Sequence, residues 1–387
     1  MIPISAHTDQ SADSRRWPTL LTPGPLTTSS TVKSAMQIDS GSRDLVFIEL
    51  VASLRQRISD ILDPQGGFTC VPIQGSGTYA VEAMLGTLIG PEDHLLVCAN
   101  GAYGRRIAEI ATVLGLAHTV LTSSESQPTP TPELEARLLA DPAITHVAIV
   151  HCETTTGVLN PLEEVCSLSW QHGVRVLVDA MSSFGGIPLA PGASVDAVAA
   201  SCNKCLQGVP GLGLVLVRPE AMQRAGEHLP RSVSLDLTAQ LRGLEENGQF
   251  RFTPPTHAMW ALSTALDELE AEGGPVGRNR RYRENHRVLT DGMSALGFEM
   301  FVDPIHQAPI IVTFLSPTDA AWSFDGFYSA LAAGGYAIYP GKLTEAETFR
   351  IGCIGDVDVG DMRAVVTLIA ELPHPIKTTR GEPDGQS

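Results

Sequence analysis

The sequence has little positive charge. Against 43 Asp and Glu stand only 26 Lys and Arg, a formal net charge of −17 over 387 residues. That balance excludes nonspecific nucleic-acid binding and attraction to an anionic membrane as default roles, and any anionic ligand needs a local cluster of positive groups. Also absent is an uninterrupted apolar stretch of about eighteen residues, so no membrane-spanning helix is expected. Residues 1–17 are polar and lack the apolar run of a secretion signal. The seven cysteines are odd in number and lie in or beside apolar runs, which points to reduced thiols of a cytosolic protein rather than to a disulfide framework. Cys202 and Cys205 form a CxxC, but no second pair or histidine partner has zinc spacing, so no metal site is expected. There is no internal repeat.

What is present suffices for one large α/β domain and a smaller one. The expected organisation is a disordered tail over 1–19, a large domain over 20–273 that begins with an extended lead-in over 20–40, a small α+β domain over 274–372 and a second tail over 373–387. Two apolar runs anchor this reading. Val174-Arg175-Val176-Leu177-Val178-Asp179-Ala180 and Val198-Ala199-Ala200-Ser201-Cys202-Asn203-Lys204 both read as buried strands of a parallel sheet, each closed by one ionisable residue. Twenty-five residues separate Asp179 from Lys204. Ligands of open α/β sheets bind at the carboxyl edge, where both residues should meet. An amine and an acid there suit pyridoxal phosphate: the amine bonds the aldehyde, and the acid keeps the pyridine nitrogen protonated. On these two residues alone, a salt bridge between strand ends serves equally well.

Further signals follow chain order. After the proline-rich segment 20–26, Phe47, Leu50, Val51, Leu54, Ile58 and Ile61 recur at helical spacing, with Asp44 as the expected cap and Arg43 just outside, solvated by default and otherwise a ligand contact. A strand over 71–74 leads into Gly75-Ser76-Gly77-Thr78 and a helix over 79–89, a candidate phosphate cup. The strand 95–98 ends in a loop carrying Tyr103, whose ring could stack on a flat cofactor. The strand 146–150 ends at His151, read as a hydrogen-bonded strand-end histidine. A strand over 211–217 should run antiparallel, because its connection is too short for a parallel crossover. Residues 252–257 break the chain before a helix, and Gly273-Gly274-Pro275 marks a boundary. The arginines 278, 280, 281, 283 and 287 should spread over a solvated helix face. Strands over 309–314 and 336–339, with an amphipathic helix between, suggest the small domain.

A phosphate cup, an aromatic loop, a strand-end acid and a lysine, in that order, resemble the fold-type I pyridoxal-phosphate enzymes, and within them the class V aminotransferases, from about Leu20 to Leu372. The phrases that carry the likeness are Leu21-Thr22-Pro23-Gly24-Pro25, Gly41-Ser42-Arg43-Asp44, Gln74-Gly75-Ser76-Gly77-Thr78 and His151-Cys152-Glu153-Thr154-Thr155-Thr156-Gly157. They continue with Asn203-Lys204-Cys205-Leu206-Gln207-Gly208-Val209-Pro210, Ile338-Tyr339-Pro340-Gly341-Lys342 and Phe349-Arg350-Ile351-Gly352-Cys353-Ile354-Gly355. Cys353 departs from the asparagine that many of these enzymes keep, and it is expected to pack rather than react.

The resemblance implies a large domain with a mainly parallel seven-stranded sheet plus a small α+β C-terminal domain. It implies that Lys204 carries pyridoxal 5'-phosphate, that Asp179 pairs with the ring nitrogen, and that Ser76, Gly77 and Thr78 hold the phosphate. Tyr103 would stack on the ring, while Thr154 and Ser201 add hydrogen bonds. A cytoplasmic homodimer with shared active sites is implied, in which Thr253 and Thr256 of one subunit complete the other's phosphate site. Arg350 would bind the acidic group of the substrate, with Gly24 and Arg43 beside it. The implied reaction is transamination of 2-aminoethylphosphonate with pyruvate, giving phosphonoacetaldehyde and L-alanine, in phosphonate degradation. A class member acting on alanine or serine with glyoxylate or pyruvate would share every cofactor residue. A noncatalytic binding protein on the same fold is the remaining reading.

Overall fold

The computed structural model describes residues 17–341 and 346–372; Lys342 and the predicted tails up to residue 16 and from 373 lie outside them. The chain starts with β1 (Thr19–Leu20), α1 (Ser30–Ala35), α2 (Leu45–Leu62), β2 (Thr69–Gln74), α3 (Gly77–Leu88), β3 (Leu95–Ala99) and α4 (Ala102–Val113). Next come β4 (His118–Thr122), α5 (Thr131–Ala140), β5 (His146–Val150), β6 (Cys152–Glu153), β7 (Val158–Leu159), α6 (Leu162–Gln171), β8 (Arg175–Asp179) and β9 (Val195–Ser201). Then follow β10 (Leu212–Val217), α7 (Pro219–Ala225), α8 (Leu237–Asn247), α9 (Thr256–Ala271) and α10 (Gly274–Ala295). The last elements are β11 (Ile311–Leu315), α11 (Phe324–Ala333), β12 (Tyr336–Ala337), β13 (Tyr339–Pro340), β14 (Thr348–Gly352) and α12 (Val359–Glu371).

Seven strands form the central sheet in the order β2-β10-β9-β8-β5-β3-β4. The pairs β3/β4, β3/β5, β5/β8 and β8/β9 are parallel, and β10 is antiparallel to both β2 and β9. The short turn between β9 and β10 leaves no length for a crossover, which reverses β10. All residues of β5 and β9 are buried. Helices α2, α3, α4 and α6 pack against the sheet, so both faces are apolar and the strands need no polar alternation. The edge strand β4 escaped the sequence reading because its His, Thr and Val residues carry a weak signal at a half-exposed edge.

A second sheet, β11-β14-β13, is antiparallel and has its own apolar core. Phe298, Phe314, Trp322, Phe327 and Phe349 meet there, with the Phe298 and Phe349 rings 5.5 Å apart at 82°. Each fully buried ring of this kind contributes about 1.5–3 kcal/mol. Strand β1 pairs in parallel with β12, and Leu21 joins the same core, so the lead-in is fastened to this C-terminal layer. The lead-in is not extended throughout: Ser29 caps the short helix α1, its hydroxyl accepting from Val32 N at 3.1 Å.

Three local expectations change. Asp44 occupies the cap position of α2, yet its carboxylate accepts from Gly41 N at 3.0 Å instead of from the helix. The stretch 336–339 is two separate pairings, β12 with β1 and β13 with β14, rather than one strand. Of the five arginines of α10, Arg280, Arg283 and Arg287 are exposed. Arg278 is buried, pairing with Glu272 at 2.8 Å and donating to Cys205 O at 2.9 Å, and Arg281 pairs with the same carboxylate at 2.7 Å. Glu272 ends α9 across the glycine break, and its charge is what lets the helix bury part of its basic face.

Candidate active site

Parallel strands deliver their carboxyl ends to one edge, and the predicted residues gather there. Asp179 is the last residue of β8, aligned with Val150 of β5 and Ala199 of β9. Ser201 ends β9, its hydroxyl donating to the Asn203 side-chain oxygen. Lys204 lies in the following turn, which is closed by Gln207 N donating to Lys204 O at 2.8 Å and Gly208 N donating to Cys202 O at 2.8 Å. Its ammonium donates to Pro23 O at 2.8 Å and Gly24 O at 3.4 Å. The lead-in thus crosses over the lysine. Gly24 has φ +114°, and a Cβ there would lie 2.5 Å from Lys204 Cδ, so only glycine admits this approach.

Asp179 is buried, and its carboxylate accepts from Met181 N at 2.9 Å. Burial pushes its carboxyl up to about 6, with the Met181 N–H pulling down, Glu153 pushing up, and Arg106 and Lys204 pulling down. The acid lines a cavity of about 30 Å³ together with Gly77, Thr78, Tyr103 and Arg106. Tyr103 stands in the first turn of α4 rather than in a loop, which fixes its backbone more firmly than expected. Arg106 was missed by the sequence reading. One helical turn beyond Tyr103, it holds its guanidinium 5.1 Å from that ring's centroid, and the i, i+3 spacing of aromatic and cation was the available signal.

The residues present fit pyridoxal phosphate. At one end of the cavity the amino terminus of α3 presents first-turn N–H groups whose cap, Ser76, leaves its hydroxyl uncommitted to the helix. A Cβ on Gly77 would lie 2.3 Å from Met181 Sδ, so the cup is closely floored. At the other end sits a buried acid whose ionisation is opposed by burial and would be favoured by a charged ring N–H. The α3 amino terminus and the buried acid, both on the wall of this cavity, suit an anionic group and a ring N–H respectively.

Arg350, on β14, reaches the same edge from the second sheet. It is 2 % exposed, and its donors meet only backbone: Nη1 donates to Thr154 O at 3.0 Å, and Nε and Nη2 donate to Pro340 O at 3.1 and 3.0 Å. Among the described residues no carboxylate forms an ion pair with it, and burial pulls its pKa down. A buried guanidinium held by carbonyls is a ready receptor for an acidic group. Thr154, whose hydroxyl accepts from Ser182 Oγ at 3.3 Å, joins Arg350 to the strand ends.

Other candidates stand apart. Arg43 is exposed before α2, and the hydrogen bonds and ion pairs of the described residues do not tie it to Lys204 or Arg350. Thr253 is exposed and lines a pocket of about 260 Å³ with Gln74, Tyr79 and Phe252, while Thr256 opens α9. His151 hydrogen-bonds Ser183 Oγ at 2.9 Å, and burial pulls its imidazole down to about 4. Cys202 and Cys205 are buried, donate to Val209 O at 2.8 Å and Ser182 O at 3.0 Å, and burial pushes both thiols up to about 12. Cys353 is likewise buried, its thiol pushed up.

A family model described as aminotransferase class-V matches residues 32–323. The 2-aminoethylphosphonate–pyruvate transaminase of Pseudomonas putida is 48% identical over 356 residues, spanning 92% of this chain and 96% of that protein. A Pseudomonas aeruginosa protein of the same name is 49% identical over 357 residues, with the same coverages of 92% and 96%. Among solved structures, pyridoxamine–pyruvate aminotransferase from Mesorhizobium loti superposes with a TM-score of 0.84 at 23% identity, covering 93% of each chain. Ureidoglycine–glyoxylate aminotransferase from Bacillus subtilis gives 0.84 at 21% identity, covering 95% of this chain and 96% of that one. These last two likenesses are of fold.

Proposed function

The chain belongs to the class V aminotransferases, and from that premise we propose that it transfers the amino group of 2-aminoethylphosphonate to pyruvate, forming phosphonoacetaldehyde and L-alanine in phosphonate degradation. The observation that carries the reading is Arg350: a buried guanidinium without a carboxylate partner among the described residues, on the same edge as Lys204 and Asp179. Its planar fork suits a phosphonate and a carboxylate equally, as two substrates sharing one site require.

Pyridoxal phosphate supplies the electron sink for cleavage of a C–H bond beside nitrogen. Ser76, Gly77 and Thr78 would hold its phosphate, and Tyr103 would lie on its ring. Asp179 would hold a proton on the ring nitrogen, with Thr154 and Ser201 adding hydrogen bonds. Lys204 Nζ would take the proton from the amine-bearing carbon and later return one, acting as base and acid in turn. Pro23 O and Gly24 O, which now accept from that amine, give it a resting position within reach of the same edge.

A homodimer with shared sites belongs to this reading, Thr253 and Thr256 serving the partner's phosphate cup. Its support is the position of Thr253 beside the exposed rings of Tyr79 and Phe252, around a pocket that a second copy could fill. A cytoplasmic location is supported by seven buried cysteines without a disulfide among the described residues. No helix of the described residues is long and apolar enough to cross a membrane.

The test is half-reaction spectroscopy on cofactor-loaded protein. Bleaching of the visible band by 2-aminoethylphosphonate, much faster than by alanine or serine at equal concentration, is expected for this donor. Preference for serine would assign the chain to another class V reaction instead.

A further inference from the structure

Glu153 is fully buried at the end of β6, and the mechanism above leaves it without a task. Its Oε2 accepts from Tyr103 N at 3.0 Å and Gly104 N at 3.4 Å, and its Oε1 accepts from Thr155 N at 3.2 Å and from the Thr155 hydroxyl. The first pair consists of orphan N–H groups in the opening turn of α4, the helix that bears Tyr103. The cap residue of that helix is Gly101, which has no side chain to offer. A carboxylate fifty residues away therefore does the work of a local cap. The exchange is enforced sterically, because a Cβ on Gly101 would lie 2.3 Å from Glu153 Cγ.

The next residue along the chain is Thr154, whose carbonyl accepts from Arg350 Nη1 at 3.0 Å and whose hydroxyl accepts from Ser182. One buried acid therefore stands at the junction of two arms. One arm runs through the α4 amides to the Tyr103 ring, and the other through Thr154 to the Arg350 guanidinium. We propose that Glu153 is the positioning residue that sets both arms, holding the cofactor platform and the acid clamp in a fixed mutual geometry. This rests on the reading of Tyr103 and Arg350 given above. Glutamine at this position keeps the volume but has a single acceptor oxygen, which cannot serve both donor pairs, so the hold on both arms is loosened.

The test uses two variants of the full chain. For Glu153→Gln, equilibrium titration of the cofactor-free protein with pyridoxal phosphate should show affinity about fivefold or more weaker, the loss of one helix cap. KM for both the amine and the keto acid should rise together. The double variant Glu153→Ala, Gly101→Ser supplies a local cap on backbone already extended at residue 101 (φ 178°), in the space the glutamate vacates. It should recover melting temperature and cofactor affinity while KM for both substrates stays raised, because the Thr154 arm remains unheld. Wild-type affinity and KM in Glu153→Gln would overturn the proposal. So would recovery of KM along with affinity in the double variant, which would reduce Glu153 to a helix cap. The cofactor titration requires no turnover, and the wild type assayed alongside reports on the proposed reaction separately.

Discussion

Gly24 lies against Lys204, the two separated by 180 positions in sequence and joined by a hydrogen bond from Lys204 Nζ to Gly24 O at 3.4 Å. The glycine is needed twice over, for its φ of +114° and for the absent Cβ, which would fall 2.5 Å from Lys204 Cδ and 2.8 Å from its Nζ. The amine's position is therefore set partly by the lead-in, which is itself anchored through Leu21 to the C-terminal core.

Gly24→Ala should accordingly displace the lysine stem. The expected loss is about 1 kcal/mol or more of stability from the backbone conformation alone, and about tenfold or more in kcat/KM from the misplaced amine. Thermal melts and steady-state assays of the variant check both.

Asp179→Asn separates stability from function. Burial raises the carboxyl to about 6 from its ordinary 3.8, so the folded cofactor-free protein holds that proton more tightly than the unfolded chain. The stability this provides is complete below the ordinary value and is lost as pH rises through about 6. At pH 8 the uncharged asparagine should make the cofactor-free protein more stable, by up to about 3 kcal/mol. Turnover should fall by orders of magnitude, because no acid is left to hold the ring proton. Calorimetry of the cofactor-free protein at pH 5 and pH 8, beside activity of the loaded protein, checks the pair.

Arg350→Lys keeps the charge and discards the fork. KM for 2-aminoethylphosphonate and for pyruvate should both rise, each by roughly tenfold to a hundredfold, the loss of a charge-assisted bidentate contact. A rise for one substrate only would mean that the two acidic groups use different receptors.

Away from the site, Glu272 should govern acid stability. Burial works to raise its carboxyl, but hydrogen bonds and charge from Arg281 and Arg278 prevail and hold it below the ordinary 4.5. Its contribution is present above that value and is lost as pH falls through the lowered pKa. Glu272→Ala leaves Arg278, 1 % exposed, without its carboxylate, and should cost about 3–5 kcal/mol. Denaturant melts at neutral pH would show it.

The site was legible wherever chemistry coincided with an element's end. Asp179 and Lys204 close apolar runs, and a charge at the end of a buried strand has few other places to go than the sheet edge. Gly75-Ser76-Gly77-Thr78 was legible for the same reason, as a strand-to-helix corner. Arg278 was not: its spacing on α10 is that of a solvated face, and the carboxylate that lets it be buried lies across the Gly273 break. Arg106 and Glu153 carry no such signal, because one sits on a helix and the other in the two-residue strand β6 within a polar stretch, where charges are ordinarily solvated. Their environment is created by segments about fifty residues or more distant, Glu153 meeting the α4 amides and Arg106 facing the Asp179 cavity. The reversed β10 followed from connection length and the parallel strands from their unbroken apolar runs, whereas β4 left too faint a pattern at its edge.

The account depends most on Lys204 as the residue that bonds the cofactor. The chain contains only four lysines, at 33, 204, 342 and 377, so the assignment can be read without ambiguity. Cofactor-loaded protein reduced with borohydride, digested and sequenced by mass spectrometry should carry the pyridoxyl phosphate mass on the peptide containing Lys204 and on no other. Reduced protein with that peptide unmodified, or with the adduct at a different lysine, would contradict it.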